Sequence, residues 1–164
     1  MKKTATFWAW FAFAAALGLV CYRQSTAQTA AEQDVAVVVN PKNTVDHLTL
    51  EDLTKIYRGE RQYWKASLPV VILFRTPETH EREVVLRTIF RMAEPQYKQY
   101  WLAKIMRAEA TFPPTEIFSS GMTKEGVAQI PGAIGVVSAS DVRQGMKVLR
   151  INDRLPGEPG YPLH

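Results

Sequence analysis

The chain has 164 residues, 20 Lys and Arg against 16 Asp and Glu, a net charge of +4 and one cysteine. That length suits a single domain, and one cysteine excludes an internal disulfide and a cysteine-based metal cluster. Taking away the first 27 residues removes Lys2, Lys3 and Arg23 and no acid, so +4 falls to +1, and no clustered basic footprint for nucleic acid remains.

Those first residues have the build of a secretory signal peptide. Lys2 and Lys3 precede an uncharged run from Thr6 to Val20, and Ser25-Thr26-Ala27 offers small residues before a cut at Gln28. An apolar run of about fifteen residues is short of the roughly 20 that span a bilayer. Cys21 falls inside the removed segment, and Val20 before it is not the small residue that lipid attachment requires. The expected organisation is a signal peptide over 1–27, a flexible leader over 28–34, one domain over 35–155 and an extended tail over 156–164. The expected location is the periplasm.

The unbroken β-branched run Val35–Val39, closed by Asn40-Pro41, predicts a strand buried on both faces. Thr49, three before Asp52, opens a helix through Leu50, Leu53, Ile56 and Tyr57 that ends at Gly59. Pro69–Phe74 predicts a second buried strand. A turn over Arg75–Glu78 then leads into a helix from Thr79 to Met92, with Val85, Ile89 and Met92 on one face. Pro95 suits the first position of another helix, running to Arg107. Pro113-Pro114 breaks the chain, Ile117-Phe118 begins a short extended piece, and Ser119-Ser120-Gly121 leads into a helix over 123–130. Ala133–Val137 and Lys147–Ile151 predict two further strands. Strands alternating with helices predict an α/β domain with helices on both faces of the sheet.

No enzymatic constellation is legible. The glycine patterns of nucleotide-binding loops and the nucleophile elbow are absent. His80-Glu81 begins like a zinc-protease helix, but Val84 stands where the second histidine belongs. His47, His80 and His164 have no ligand spacing, so no metal and no cofactor is expected. Two places suit an oxyanion. Arg75 sits between a buried strand and a helix start, beside free backbone N–H groups, with Thr79 either joining an anion or capping the helix. Ser119, Ser120, Gly121 and Thr123 mark a second helix start, with an ordinary N-cap as the other reading.

Asn40-Pro41 followed by Leu50, Leu53, Ile56, Tyr57, Gly59 and Trp64, and the run Pro131-Gly132-Ala133-Ile134-Gly135-Val136-Val137, resemble stretches of phosphate ABC transporter substrate-binding proteins. The segment Arg75–Val84 falls on that family's R-x-x-G-S-G-T-R phosphate segment. The resemblance covers about residues 35–151. It implies one lobe of a type II periplasmic-binding-protein fold, with a mixed, mostly parallel sheet. It also implies oxyanion binding by Arg75, Thr79, Arg82 and the Ser119–Thr123 helix start, no catalysis, and an ABC permease or other membrane protein as partner.

Two departures shape the expected function. Glu78-Thr79-His80-Glu81 replaces Gly-Ser-Gly-Thr, which removes the glycines that let a backbone approach phosphate and adds two carboxylates. The matched motifs also belong to one lobe of a two-lobed clamp. Weak or altered binding of phosphate or another small oxyanion is the first expectation. A protein-interaction module without a small-molecule ligand, open to homo-oligomerisation, is the second.

Overall fold

The structure, a computed structural model, describes residues 33–65 and 68–164. The expected signal peptide and residues 28–32 of the expected leader lie outside them.

Strand β1 (Val35–Val39) is wholly buried. It divides two cores by alternation: Val35, Val37 and Val39 enter one, Ala36 and Val38 the other. The two-residue strand β2 (His47–Leu48) precedes helix α1 (Leu50–Tyr57). Thr49 caps α1, accepting from the Asp52 amide at 3.0 Å while its hydroxyl donates to the Asp52 carboxylate at 2.9 Å. Strand β3 (Val71–Arg75) feeds helix α2, which is α-helical over His80–Val85 and continues as a π-helical turn over Leu86–Phe90. Arg91 ends it in the left-handed region at φ 54°. Helix α3 (Glu94–Met106) carries Pro95 in its first turn, as its sequence predicts.

Strand β4 (Thr115–Ile117) precedes Phe118 instead of starting beside it. Helix α4 (Ser120–Gln129) begins three residues before the expected position. The Ser119 hydroxyl accepts from the Met122 amide, so the serine itself is the cap and Gly121 belongs to the first turn. Strand β5 (Ala133–Ser138) follows. The expected strand Lys147–Ile151 is divided into β6 (Lys147–Val148) and β7 (Arg150–Ile151). β6 pairs with β1 and β7 with β2, with fully buried Leu149 at the switch between the two sheets.

The main sheet has the order β4-β3-β5-β1-β6. β4, β3 and β5 run parallel, whereas β1 is antiparallel to both β5 and β6. The C-terminal ends of β3, β4 and β5 therefore share one edge with the N-terminal end of β1. The aromatic core of Tyr57, Phe74, Phe90, Tyr97 and Trp101 lies on the face covered by α1, α2 and α3. Val127 of α4 packs on the opposite face with Leu73 and Ile117. The tail 156–164 has no helix or strand, but it is not loose. Tyr161 and Leu163 enter the aromatic core, the Tyr161 hydroxyl donates to the Val35 carbonyl at 2.7 Å, and the Val35 amide donates to the Leu163 carbonyl. Apolar area at two positions outweighs the proline-rich composition.

Burial pushes the phenols of Tyr57, Tyr97 and Tyr161 far above the ordinary tyrosine range. Below about pH 10 these groups are protonated in folded and unfolded chains alike, and their contribution is complete. Above it the unfolded chain releases protons first, so stability falls by about 1.4 kcal/mol per pH unit for each phenol. The three together should remove about 4 kcal/mol per pH unit, enough to unfold a domain of ordinary stability within one to four units. Near-ultraviolet absorbance should show these three phenols ionising together with the loss of tertiary structure. Smooth ionisation of all of them in a folded chain would disprove it.

Candidate functional site

Both predicted oxyanion segments lie at one sheet edge. Arg75 ends β3 and Ile117 ends β4 in register with it, and the Arg75 Nη1 reaches the Ile117 carbonyl at 3.5 Å. Ser119 and the start of α4 follow two residues later. The topology thus brings the ends of β3 and β4, and with them the Arg75 and Ser119 segments, to the same sheet edge, whereas Arg82 stacks on the aromatic-core face and Thr123 packs on the opposite one.

The turn after β3 has a positive φ of 68° at Glu78, the first position where the resembled segment carries glycine. A non-glycine residue there is held in a disfavoured backbone region, at a cost of about 1–3 kcal/mol. The turn has the left-handed backbone that glycine adopts freely, but a carboxylate side chain now hangs from it.

The cations are engaged. Arg82 is 1% exposed. Its Nε and Nη2 donate to the two Glu94 carboxylate oxygens at 2.8 and 2.7 Å, and its Nη1 donates to the Arg75 carbonyl at 2.6 Å and reaches Glu116 at 3.4 Å. The guanidinium also stacks over Phe74 and Tyr97, 4.4 and 5.0 Å from their ring centres. Arg75 pairs with the buried carboxylate of Glu81 at 3.8 Å, and its own Nε has no hydrogen-bond acceptor. Arg75 and Arg82 meet three carboxylates, Glu81, Glu94 and Glu116, and Lys98 also approaches Glu94 at 3.9 Å. Glu94 and Glu116 stand twelve and thirty-four residues from Arg82, so nothing in the sequence pointed to them.

The hydroxyls are engaged as well. Thr79 is the N-cap residue of α2 but makes no capping bond; its hydroxyl donates to the Thr76 carbonyl at 2.8 Å. Ser119 caps α4, and buried Thr123 donates to the Ser119 carbonyl at 3.3 Å. Ser120 is half-buried and Gly121 exposed. Phe118 and Met122, 71% and 44% exposed, put apolar surface beside them. Among the described residues no group of His, Cys, Asp and Glu could hold a metal ion, and no helix is long and apolar enough to cross a membrane.

Comparison with known proteins places this arrangement. The family model of the PBP superfamily domain matches residues 18–157. The chain belongs to the PBP superfamily. As a PBP-like lobe it is similar to an ABC-type phosphate transport receptor from Vibrio cholerae, with a TM-score of 0.60 and 21% identity over 75% of this chain and 48% of that one. It is also similar to a Clostridium perfringens protein assigned as a phosphate ABC transporter substrate-binding protein and solved with bound phosphate (TM-score 0.61, 23% identity, 75% and 46% covered). PstS from Borrelia burgdorferi gives a TM-score of 0.58 at 18% identity, with 75% and 49% covered. The PBP-like chain spans about half the length of these proteins. At such identities the likeness establishes the fold, an α/β lobe with helices on both faces of a mixed sheet.

Proposed function

We propose that this chain is a non-catalytic, exported PBP-like lobe that works as a protein-interaction module in the periplasm, its ancestral oxyanion turn closed by its own side chains. The observation that carries this reading is the bidentate clamp of Glu94 on Arg82, with Glu81 beside Arg75. A dianion entering that turn would have to displace carboxylates from both guanidinium groups. Exposed Phe118 and Met122 at the same edge offer the apolar surface that a protein partner covers. A transporter subunit or a second copy of the chain fits this role.

A second reading, weak capture of phosphate or another small oxyanion, is favoured by the buried Arg75 Nε that lacks an acceptor and by the phosphate bound to the Clostridium perfringens relative. Calorimetry and thermal melting with phosphate and sulfate at about 10 mM separate the two, because any ligand above its dissociation constant stabilises the native state. No heat and no shift are expected. A phosphate heat that Arg75→Ala abolishes would overturn the interaction reading in favour of anion capture. In the same assay Glu81→Gln should gain phosphate binding if Glu81 is what neutralises Arg75.

A further inference from the structure

We infer that a second anion site, built on Arg58 and Arg91 and not on Arg75, lies in the groove between α1 and the π-helical turn of α2, and that it takes a small organic anion with a carboxylate or phosphate head. The groove is a cavity of about 340 Å³ lined by Leu50, Glu51, Thr54, Arg58, Thr88, Ile89 and Arg91. That volume lies within the range of small-ligand sites.

Four observations converge on it. The Arg58 Nε is buried and has no hydrogen-bond partner, although the Nη2 of the same group donates to the Phe90 carbonyl at 2.9 Å. A buried charged donor without an acceptor is rare, because leaving it unmade costs free energy that folding alone does not recover. The Arg91 guanidinium has neither a carboxylate partner nor a hydrogen bond among the described residues, so it is available to a ligand. Its backbone is held at φ 54°, a conformation that persists only where the surroundings impose it. The turn that delivers it is π-helical, an uncommon geometry associated with functional sites.

The local charge favours an anion. Glu51 is the one carboxylate lining the groove, and Lys55 holds it at 2.7 Å. Arg58 and Arg91 line the groove, and Arg91 also borders the neighbouring cavity that Glu78, Glu83 and Glu94 line. Guanidinium groups pair with carboxylate and phosphate oxygens through charge-assisted bonds. Thr88 adds a hydroxyl, while Leu50 and Ile89 supply an apolar wall. Orthophosphate alone would leave that wall and much of the volume unused, so an anionic head on a compact apolar body fits better.

Titration of the purified full chain with phenyl phosphate and with benzoate, followed by calorimetry and thermal melting, tests this directly. Saturable binding of at least one of them is expected, with neutral benzyl alcohol giving none. Arg91→Asn keeps a residue that tolerates the left-handed backbone and removes the charge, so it should weaken binding at least tenfold. Arg58→Met should do the same if it folds. Arg75→Ala should bind normally, which separates this groove from the turn after β3. Absence of binding, equal binding of benzyl alcohol, or an Arg91→Asn protein with unchanged affinity would each overturn the proposal.

Discussion

Arg82→Met should destabilise the protein by about 3 kcal/mol, seen as a urea midpoint lower by roughly 1–3 M. Methionine keeps the unbranched stem that packs over Phe74 and Tyr97 but removes every donor. Glu94 then loses both of its hydrogen bonds from Arg82 and keeps only Lys98 at 3.9 Å, and the Arg75 carbonyl loses a 2.6 Å bond. Breaking a buried ion pair costs about 3–5 kcal/mol because the abandoned charge stays in a poor solvent. The Glu94 side chain is 27% exposed, so it recovers some hydration and the lower figure applies. Arg82→Met with Glu94→Gln should regain a substantial part of the loss, since the only carboxylate then left without Arg82 is the exposed Glu116. The same melts with and without phosphate decide what Arg82 is for. A structural clamp gives the same loss in both. A variant close to wild type in stability, but deaf to a phosphate shift that the wild type shows, would make Arg82 an anion ligand.

The parts of this fold governed by local pattern were legible in the sequence. Val35–Val39 reads as a doubly buried strand because no polar residue interrupts it, and all five residues are buried. Thr49, as a cap, and Pro95, in a first turn, announce their helices through signals that depend only on neighbours. What pattern could not supply came from distant partners. Tyr161 and Leu163 sit in a segment with three prolines whose composition suggests a loose end, yet contacts across the whole chain hold it to β1. Lys147–Ile151 reads as one strand, but which sheet each half joins depends on where β1 and β2 lie. The antiparallel direction of β1 is likewise a matter of topology.

The candidate site divides along the same line. The sequence already places Glu78 in the turn after β3 and Glu81 at the start of α2, and the like-charge argument against a dianion follows from them alone. The decisive contact, Glu94 on Arg82, joins an arginine in α2 to a carboxylate that opens α3, and no short motif encodes it. The residues carrying the strongest family resemblance also turn out to organise the backbone. The Asn40 side-chain amide donates to the Val127 and Ala128 carbonyls near the end of α4. The Trp64 indole donates to the Gly132 carbonyl at 2.9 Å. Gly135 leaves room for Thr123, whose methyl would stand 2.7 Å from a Cβ there. Resemblance resting on such residues reports a lobe and its packing, whereas the segment Glu78–Glu81 departs from it at Glu78, His80 and Glu81.

Gly132→Ala should be the most damaging of the conservative substitutions, at about 3–5 kcal/mol, with most of the chain recovered as aggregate at growth temperature. A Cβ on Gly132 would lie 1.8 Å from the Pro69 carbonyl oxygen. That atom is backbone, so no rotamer change relieves the clash. Moving the Pro69 segment away would strain the Val71 amide bond to the Gly132 carbonyl, 3.0 Å long, and the Trp64 indole bond to the same oxygen. Each is worth about 0.5–1.5 kcal/mol, and together they fasten the start of β3 to the start of β5. Gly121→Ala is the informative counterpart. Nothing but the Ser119 hydroxyl, at 3.7 Å, approaches a Cβ there, and an exposed helical glycine replaced by alanine gains up to about 1 kcal/mol. Parallel denaturant unfolding of the two variants tests the pair. If Gly132→Ala melts like the wild type, the Pro69 segment yields easily and that glycine is no backbone lock. If instead Gly121→Ala is stable but loses a phosphate response present in the wild type, the start of α4 binds anions after all, because only there would the missing Cβ have mattered to a ligand.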